Sequence, residues 1–375
     1  MSFIYNLIVL LLLVSTIYQV TKEEETNKNW FRFIVILMMG AAGFAYALSP
    51  DWLAYWNAFE GIHIYDWSEL GNFAEMVDME MGYVVLNKIV SSLGFGYATF
   101  TLLIAVIALA LKSNIILKYG GFAYMSLLMY FIPTYLFEEH VHVRQGLANA
   151  IMFCSIPFII ERKFWKFFMC FALAFLFHKA VVAFLLAYWI VKIKFNSTSI
   201  LVIVGLAIIA NVVGLSGAID GLMQFMPFGV AETYNDYVNE LTTESGILGD
   251  IVKVITVLII VIFNKSVSEK DELFSYFRNI YLFGVIIYFF FGKGIFAARL
   301  PGFFTVYIIF VVPRMIMALR HDKQFKNFVF IGFTLYTMML YINFYRNWGD
   351  RSGFGNYTSS LNSWVPYGFF INNTK

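Results

Sequence analysis

The densest group of reactive side chains in the sequence is the run at residues 138–145, EEHVHVRQ, which stands between two apolar stretches. An arginine fork binds phosphate oxygens bidentately, and a carboxylate or an imidazole can accept the proton of an attacking hydroxyl group. We therefore predict that Arg144 binds an anionic substrate group. We expect Glu139 or His142 to act as a general base, with Glu138 as a rival. The alternative is a solvated turn whose charges pair among themselves.

Metal binding is the weaker interpretation of this run. His140 and His142 stand two residues apart, which places them on different faces of a helix, and no third ligand follows in a recognisable pattern. We therefore expect a site without metal or cofactor, in which Glu138 and Gln145 contribute to substrate binding.

His178 is a second candidate, because it follows eleven consecutive apolar residues. Basic residues flank the apolar segment 167–191 at both ends, which indicates that both ends lie on the cytoplasmic side of the membrane. Two full spans would need roughly 40 residues at about 1.5 Å per residue, and the segment is too short for them. We therefore interpret this segment as a re-entrant or broken helical pair, with His178 near its apex to orient a phosphate oxygen or an arginine. One tilted span of 25 residues is an equally good alternative. The alternative to a functional role is that His178 packs between helices and forms a hydrogen bond there.

Arg299 lies between two apolar runs and directly precedes Leu300-Pro301, where the backbone is biased away from helix. We predict that Arg299 and Arg144 together bind a substrate diphosphate and stabilise the negative charge of that diphosphate when it departs as the leaving group. The alternative is an interfacial arginine whose stem lies along apolar surface.

Aromatic residues follow an acidic one at helical spacing where the polar segment 49–96 begins. The residues are Asp51, Trp52, Tyr55 and Trp56. Their pattern predicts a short amphipathic helix on the membrane surface. Aromatic faces beside carboxylates suit sugar rings, so we expect these residues to bind a glycan, and Asp51 is a further rival base. For Trp52 and Trp56 an interfacial aromatic belt is an equally good interpretation.

The composition defines the class of protein that must position these residues. Of 375 residues, 60% are hydrophobic and 13% are charged, against roughly 25% charged in a typical soluble domain. Repeated apolar runs predict an all-α polytopic membrane bundle of about 10–12 transmembrane segments, forming one membrane domain over 1–375. A soluble enzyme, a nucleic-acid binder and a disulfide-rich secreted protein are excluded. The apolar segments lie at 3–20, 33–48, 97–111, 121–137, 144–160, 167–191, 200–216, 251–263, 280–292, 300–318 and 328–344.

Charges near the spans predict the orientation in the membrane. Seventeen of the 26 basic residues lie in short loops, among them the pair Lys112 and Lys118, so these loops should face the cytoplasm. The charged residues of the long polar segments 49–96 and 217–250 are almost all acidic, so these segments should form outward-facing loops. The run 3–20 lacks a cleavage site and is expected to remain as the first helix.

Six short motifs are spread over most of the chain. They are Asp51-x3-Tyr55, Glu80-x-Gly82-Tyr83, Val143-Arg144-Gln145-Gly146-Leu147-Ala148, Phe177-His178-Lys179-Ala180, Arg299 before a late span, and Pro366-Tyr367. In this order and spacing they resemble the EpsG/Wzy-like family of bacterial polysaccharide polymerases. The fourth motif departs from the commoner family form, which has serine after the lysine.

The resemblance implies a multi-pass glycosyltransferase of the bacterial inner membrane, similar in outline to the GT-C and O-antigen ligase group. Such proteins join oligosaccharide repeat units carried on undecaprenyl diphosphate, on the outer face, without nucleotide sugars or a bound metal. Arg144 and His178 match the family motifs best, followed by Glu80, Asp51 and Arg299.

We hypothesise from these observations a repeat-unit polymerase for O antigen or a similar surface polysaccharide. Undecaprenyl-diphosphate-linked glycan is donor and acceptor, and a chain-length regulator and a flippase are candidate partners. One alternative is a flippase for the same lipid-linked sugars, although the sequence lacks the paired halves of many transporters. Another is a membrane O-acyltransferase with His178 as base. The sugars, the linkage and the stereochemical outcome stay open.

Overall fold

The computed structural model describes residues 3–45, 50–215, 247–291 and 300–351, and the regular elements within these ranges are helical. Five helices there are long and apolar enough to cross a membrane, and four shorter apolar helical stretches accompany them. The prediction of an all-α polytopic membrane protein is therefore confirmed. The α-helices are α1 (Phe3–Lys22), α2 (Lys28–Gly43), α3 (Pro50–Gly61), α4 (Leu70–Met76), α5 (Met81–Ser92), α6 (Tyr97–Tyr119), α7 (Ala123–Tyr130), α8 (Leu136–Glu138), α9 (Val143–Cys154), α10 (Ile156–Ile160), α11 (Phe164–Phe175), α12 (Ala187–Ile190), α13 (Ser197–Val212), α14 (Ile247–Ser268), α15 (Glu272–Phe291), α16 (Gly302–Thr305), α17 (Ile308–Ala318) and α18 (Lys323–Arg351).

The chain divides into two compact units. Of the described residues, those within 1–157, 172–178 and 329–351 form the first unit, and those within 158–171 and 179–328 form the second. In the first unit α6 packs against α2 and α9, and α1 packs against α7. Every candidate site residue that the structure describes lies in this first unit.

Residues 50–96, which we call the short-helix segment, fold into α3, α4, α5 and two 3-10 turns. The expectation for this region was an outward loop, yet its apolar residues at 55, 58, 59 and 62 recur at helical spacing and form a core. Lys88 is buried and donates hydrogen bonds to the carbonyls of Ile62, at 3.2 Å, and Tyr65, at 2.5 Å. The segment is therefore a packed helical layer that covers the first turns of α6.

Helix α6 is longer than the sequence predicted. The apolar run 97–111 led us to place Lys112 in a loop, but α6 continues to Tyr119 and Lys112 is 0% exposed inside the first unit. The assignment of Lys112 to a cytoplasmic loop is therefore wrong. The reason is a pair of buried carboxylates that compensates its charge, as described below.

The segment around His178 is a broken helical pair. Helix α11 ends at Phe175, and after a turn the chain continues as a 3-10 helix, Lys179–Leu186, and then α12. The two ends of the pair meet, because the ring centroids of Phe164 and Trp189 are 5.7 Å apart. A single straight span of the same length would separate its ends by about 37 Å. The prediction of a broken pair is thus confirmed, and the single tilted span does not occur.

In the second unit α15 anchors the returning end of this pair. The Nδ2 atom of Asn279 donates to the carbonyl oxygens of Ile190, at 3.1 Å, and Ile193, at 2.7 Å. The chain between α12 and α13 is non-helical, and Asn279 adds hydrogen bonds to its carbonyl groups beyond the backbone bond from the Ile193 amide to Ile190. Asn279 therefore holds the exit of the broken pair against α15.

Candidate functional site

The guanidinium group of Arg144 is fixed by two acceptors from the short-helix segment. Arg144 lies in the first turn of α9, and its Nη1 atom donates to Oε2 of Glu80 at 2.5 Å and to the carbonyl oxygen of Asp78 at 3.1 Å. The side chain of Arg144 keeps 23% of its surface exposed. Both contacts use one nitrogen, and Tyr55 also interacts with the group, so a partly exposed guanidinium that keeps further N–H donors is held in one orientation.

Glu80 connects Arg144 to His178. Its Oε1 atom is 3.1 Å from Nδ1 of His178, and the side chains of Glu80 and His178 are only 10% and 8% exposed. Burial raises the pKa of Glu80, but the hydrogen bond from His178 and the charge of Arg144 outweigh it and lower this pKa to about 2. An ionised carboxylate can only accept, so Nδ1 of His178 is the donor in this contact. The structure thus brings together three predicted residues, which we call the Arg144–Glu80–His178 cluster.

Two glycines allow the backbone to approach closely enough for this cluster. The amide of Gly82 donates to the carbonyl oxygen of Leu176 at 2.8 Å, and a Cβ at Gly82 would lie 2.6 Å from that oxygen. A Cβ at Gly146 would lie 2.5 Å from the carbonyl oxygen of Glu138. These glycines belong to the motifs that carry Glu80 and Arg144. Their absence of a side chain lets α5 contact the turn before His178 and lets α9 contact α8.

Tyr55 lies under Arg144. The Cζ atom of Arg144 is 5.7 Å from the centroid of the Tyr55 ring, which is 5% exposed. Burial, opposed in part by Arg144, raises the pKa of Tyr55, so the phenol stays protonated at physiological pH. Asp51 is half-buried one helical turn earlier, near enough to act on Tyr55 electrostatically. The motif pair Asp51 and Tyr55 therefore lies next to the cluster.

The two tryptophans form an aromatic shelf on α3. The rings of Trp52 and Trp56 stack at 5.9 Å with 10° between their planes, and Trp52 also meets the ring of Tyr97 edge-on at 5.7 Å. Trp56 is 38% exposed, so part of the stack is accessible to a ligand. This arrangement suits stacking on the CH face of a sugar ring. It is equally compatible with a belt of aromatic residues at the membrane interface.

Glu138 and Glu139 point away from solvent. The Nζ atom of Lys112 is 2.6 Å from Oε2 of Glu138 and 2.7 Å from Oε1 of Glu139, and all three side chains are at most 6% exposed. Tyr130 donates to Glu139 at 2.7 Å and Asn149 donates to Glu138 at 2.8 Å. This buried network joins α6, α7, α8 and α9, and it places both carboxylates in structural contacts.

The remaining predicted residues have separate environments. His142 is half-buried directly before α9, and its ring stacks on Phe137 at 6.2 Å. Gln145 is buried in the first turns of α9, and its Oε1 atom has no hydrogen-bond partner within the described part of the chain. Arg299 lies outside the described residues, so its relation to Arg144 stays a prediction.

Sequence reasoning missed Lys112 and the carbonyl oxygen of Asp78. A signal for Lys112 was present, because apolar residues continue on both sides of it, at Leu111 and at Ile115 and Ile116. No sequence signal marks a backbone carbonyl as a ligand for a distant arginine. Within the described ranges, no group of three or more His, Cys, Asp or Glu residues is arranged to hold a metal ion.

Comparison with known protein families gives a match over most of the chain. The sequence model of the EpsG family matches residues 28–367, which is nearly the whole chain. No curated protein and no solved structure matches the chain. The predicted resemblance to this family is therefore confirmed, and the matched range contains the Arg144–Glu80–His178 cluster.

Proposed function

Because the chain belongs to the EpsG family of Wzy-like polysaccharide polymerases, we propose that it joins oligosaccharide repeat units carried on undecaprenyl diphosphate. The product is O antigen or a similar surface polysaccharide. The reaction takes place on the outer face of the cytoplasmic membrane, as the acidic character of the segments 49–96 and 217–250 favours. A flippase delivers the repeat units, and a chain-length regulator is a further partner.

The reaction is a glycosyl transfer between two lipid-linked glycans. A terminal hydroxyl oxygen of the acceptor attacks the anomeric carbon of the donor glycan. The bond from that carbon to the diphosphate oxygen breaks, and undecaprenyl diphosphate leaves with the electron pair. A general base takes the proton of the hydroxyl group. The new charge appears on the diphosphate, where donors fixed in advance are most effective.

The observation that carries this proposal is the fixed, partly exposed guanidinium of Arg144. Glu80 and the carbonyl oxygen of Asp78 hold Nη1, so the group does not have to be ordered when substrate binds. Its remaining N–H donors match phosphate oxygens. Glu80 is a positioning residue in this scheme, and His178 acts through Glu80. Arg299 is the second diphosphate ligand that we propose.

Two candidate bases remain in suitable surroundings. Glu138 and Glu139 are bound to Lys112, so we propose that they support α9 instead of taking a proton. Asp51 lies on α3 beside Tyr55, and His142 lies two residues before Arg144. Trp52 and Trp56 provide the surface on which a sugar ring of the acceptor or donor stacks.

The test is the surface polysaccharide of a deletion strain that carries wild-type or variant protein. We expect Arg144→Ala to abolish long chains and to leave single repeat units on the cell surface. Arg32→Ala, which removes an exposed arginine elsewhere, is the matched control and should leave chain length unchanged. Long chains made by Arg144→Ala at normal protein level would contradict the role of Arg144. Repeat units trapped inside the cell by the deletion would indicate a flippase instead.

A further inference from the structure

The second unit contains a cavity of about 720 Å³. It lies where the chain passes from α12 to α13 and where α14 ends and α15 begins. Six of its lining residues carry charged side chains. Four are cationic and two are acidic: Lys192, Lys194, Lys265, Arg278, Glu269 and Glu272. The cavity wall therefore has an excess of positive charge at neutral pH.

Arg278 is the innermost of these cations, since its residue is only 2% exposed. Its Nη1 atom donates to Oδ1 of Asn264 and, at 2.9 Å, to Oγ of Ser268. Its Nη2 and Nε atoms donate to Oδ1 of Asn279 at 2.8 and 3.1 Å. All these acceptors are neutral. Among the residues that the structure describes, no carboxylate forms an ion pair with Arg278.

A buried guanidinium without an anion is an unusual arrangement. Arginine is almost never fully buried in proteins unless it is paired, because removal of the charge from water is costly. Lys112 and Arg314 are paired with carboxylates, whereas the buried Lys88 is compensated by backbone carbonyl groups. The neutral amides and hydroxyl around Arg278 fix the plane of its guanidinium but do not neutralise its charge. An anionic ligand in the cavity would supply the missing negative charge.

The rim of the cavity supplies further positive charge. Lys192 is compensated, since its Nζ atom is 3.6 Å from Oε1 of Glu272 and also contacts the hydroxyl of Tyr276. Lys194 and Lys265 are exposed, and no ion pair engages them within the described ranges. Two rim lysines therefore remain available to an anion that reaches Arg278.

We propose that this cavity binds a phosphate group, with Arg278 as the inner contact and Lys194 and Lys265 at the rim. Four of the five N–H groups of Arg278 donate to its neutral partners, so Arg278 acts on a phosphate through its charge and the remaining N–H of Nη2. Two sources share this chemistry, namely the headgroup of an anionic phospholipid and soluble phosphate. The cavity lies beside the end of α14 and the start of α15, two helices long and apolar enough to cross a membrane, and basic pockets at the ends of membrane helices recognise anionic lipids. This site is independent of the proposed polymerase reaction.

The test is a thermal titration of the full-length protein in a neutral detergent. Phosphatidylglycerol, phosphatidylcholine and inorganic phosphate are added separately, and the rise in Tm gives an apparent Kd for each. We expect phosphatidylglycerol to raise Tm and phosphatidylcholine to leave it unchanged. The variants are Arg278→Gln, Lys194→Gln and Lys265→Gln, with Lys323→Gln as the control because Lys323 is exposed and does not line the cavity.

The proposal predicts at least a fivefold weaker apparent Kd for Lys194→Gln and Lys265→Gln, and a larger loss for Arg278→Gln. If Arg278→Gln fails to fold, the two rim variants decide. A rise in Tm with inorganic phosphate alone, lost in the rim variants, supports the site with a soluble ligand. The same response in all variants and the control, or no response to either phosphate source, overturns the proposal.

Discussion

The carboxylate of Glu80 accepts hydrogen bonds from Arg144 and His178, although these residues lie 64 and 98 positions away in the sequence. Arg144 and His178 were predicted as site residues because a charged or ionisable group near a membrane span is costly and therefore often functional. Their contact through Glu80 could not be predicted, because no periodicity connects positions on three different elements. The sequence was therefore sufficient to predict these site residues but not the contacts between them.

The charge of Glu80 should make stability depend on pH. Its folded-state pKa of about 2 lies below the 4.5 of the isolated group, so the carboxylate stabilises the fold above pH 4.5 and this contribution is lost as the pH falls towards 2. We expect Glu80→Gln to cost roughly 3 kcal/mol at pH 7. Thermal unfolding in detergent should show a Tm gap to wild type that narrows from pH 7 to pH 3.

Glu75→Gln is the matched control for this prediction, because Glu75 is exposed in the same short-helix segment. Its Tm should follow that of the wild type at every pH. A gap for Glu80→Gln that stays constant between pH 7 and pH 3 would show that the charge of Glu80 does not stabilise the fold.

At the scale of elements, α9 is positioned by contacts that exclude any side chain at residue 146. A Cβ there would lie 2.5 Å from the carbonyl oxygen of Glu138. We expect Gly146→Ala to destabilise the protein by about 1–3 kcal/mol and to shorten the polymer, because Arg144 moves with α9. The measurements are Tm and surface-polysaccharide length. Gly205→Ala, in α13 with open space around the Cβ position, should be neutral or slightly stabilising, and equal effects of the two changes would disprove the argument.

The buried network at Lys112 is the second element-scale device. Lys112→Met would leave Glu138 and Glu139 buried without a counter-charge, which typically costs about 3–5 kcal/mol. We expect low yield and a low Tm in detergent. Adding Glu138→Gln and Glu139→Gln to Lys112→Met should restore part of the loss, since neutral amides do not need the cation.

Lys118→Met tests whether this effect belongs to the network or to any lysine of α6. Lys118 is exposed near the end of the same helix, so its replacement should leave Tm close to the wild-type value. A wild-type Tm for Lys112→Met would show that the two carboxylates do not depend on Lys112.

At the scale of the whole molecule, composition and apolar runs were sufficient to predict an all-α polytopic membrane protein. Rules that assign loops from the positions of charged residues predicted less well, because they cannot detect a buried partner. Glu138 is such a partner, since it compensates the charge of Lys112 within α6. The short-helix segment was assigned as a loop because its polar residues outweigh the helical spacing of Tyr55, Ala58 and Phe59. Burial depends on what packs on a segment, which the segment alone does not encode.

The broken pair around His178 predicts the same membrane side for both of its flanks. In a chain whose Cys154 and Cys170 are replaced, Lys163→Cys and Lys194→Cys should react with an impermeant thiol reagent only after the cells are permeabilised. Ser68→Cys, exposed in the short-helix segment, should react in intact cells. Labelling of Lys194→Cys but not Lys163→Cys in intact cells would mean that the segment crosses the membrane once.

The central claim is that the fixed guanidinium of Arg144 binds the diphosphate during glycosyl transfer. The direct measurement is the initial rate at which purified protein joins undecaprenyl-diphosphate-linked repeat units, for the wild type and for Arg144→Lys. Lysine keeps the charge but lacks the planar fork, so we expect the rate to fall by about 100-fold while Tm changes little. A wild-type rate for Arg144→Lys and for Arg144→Ala would contradict the claim.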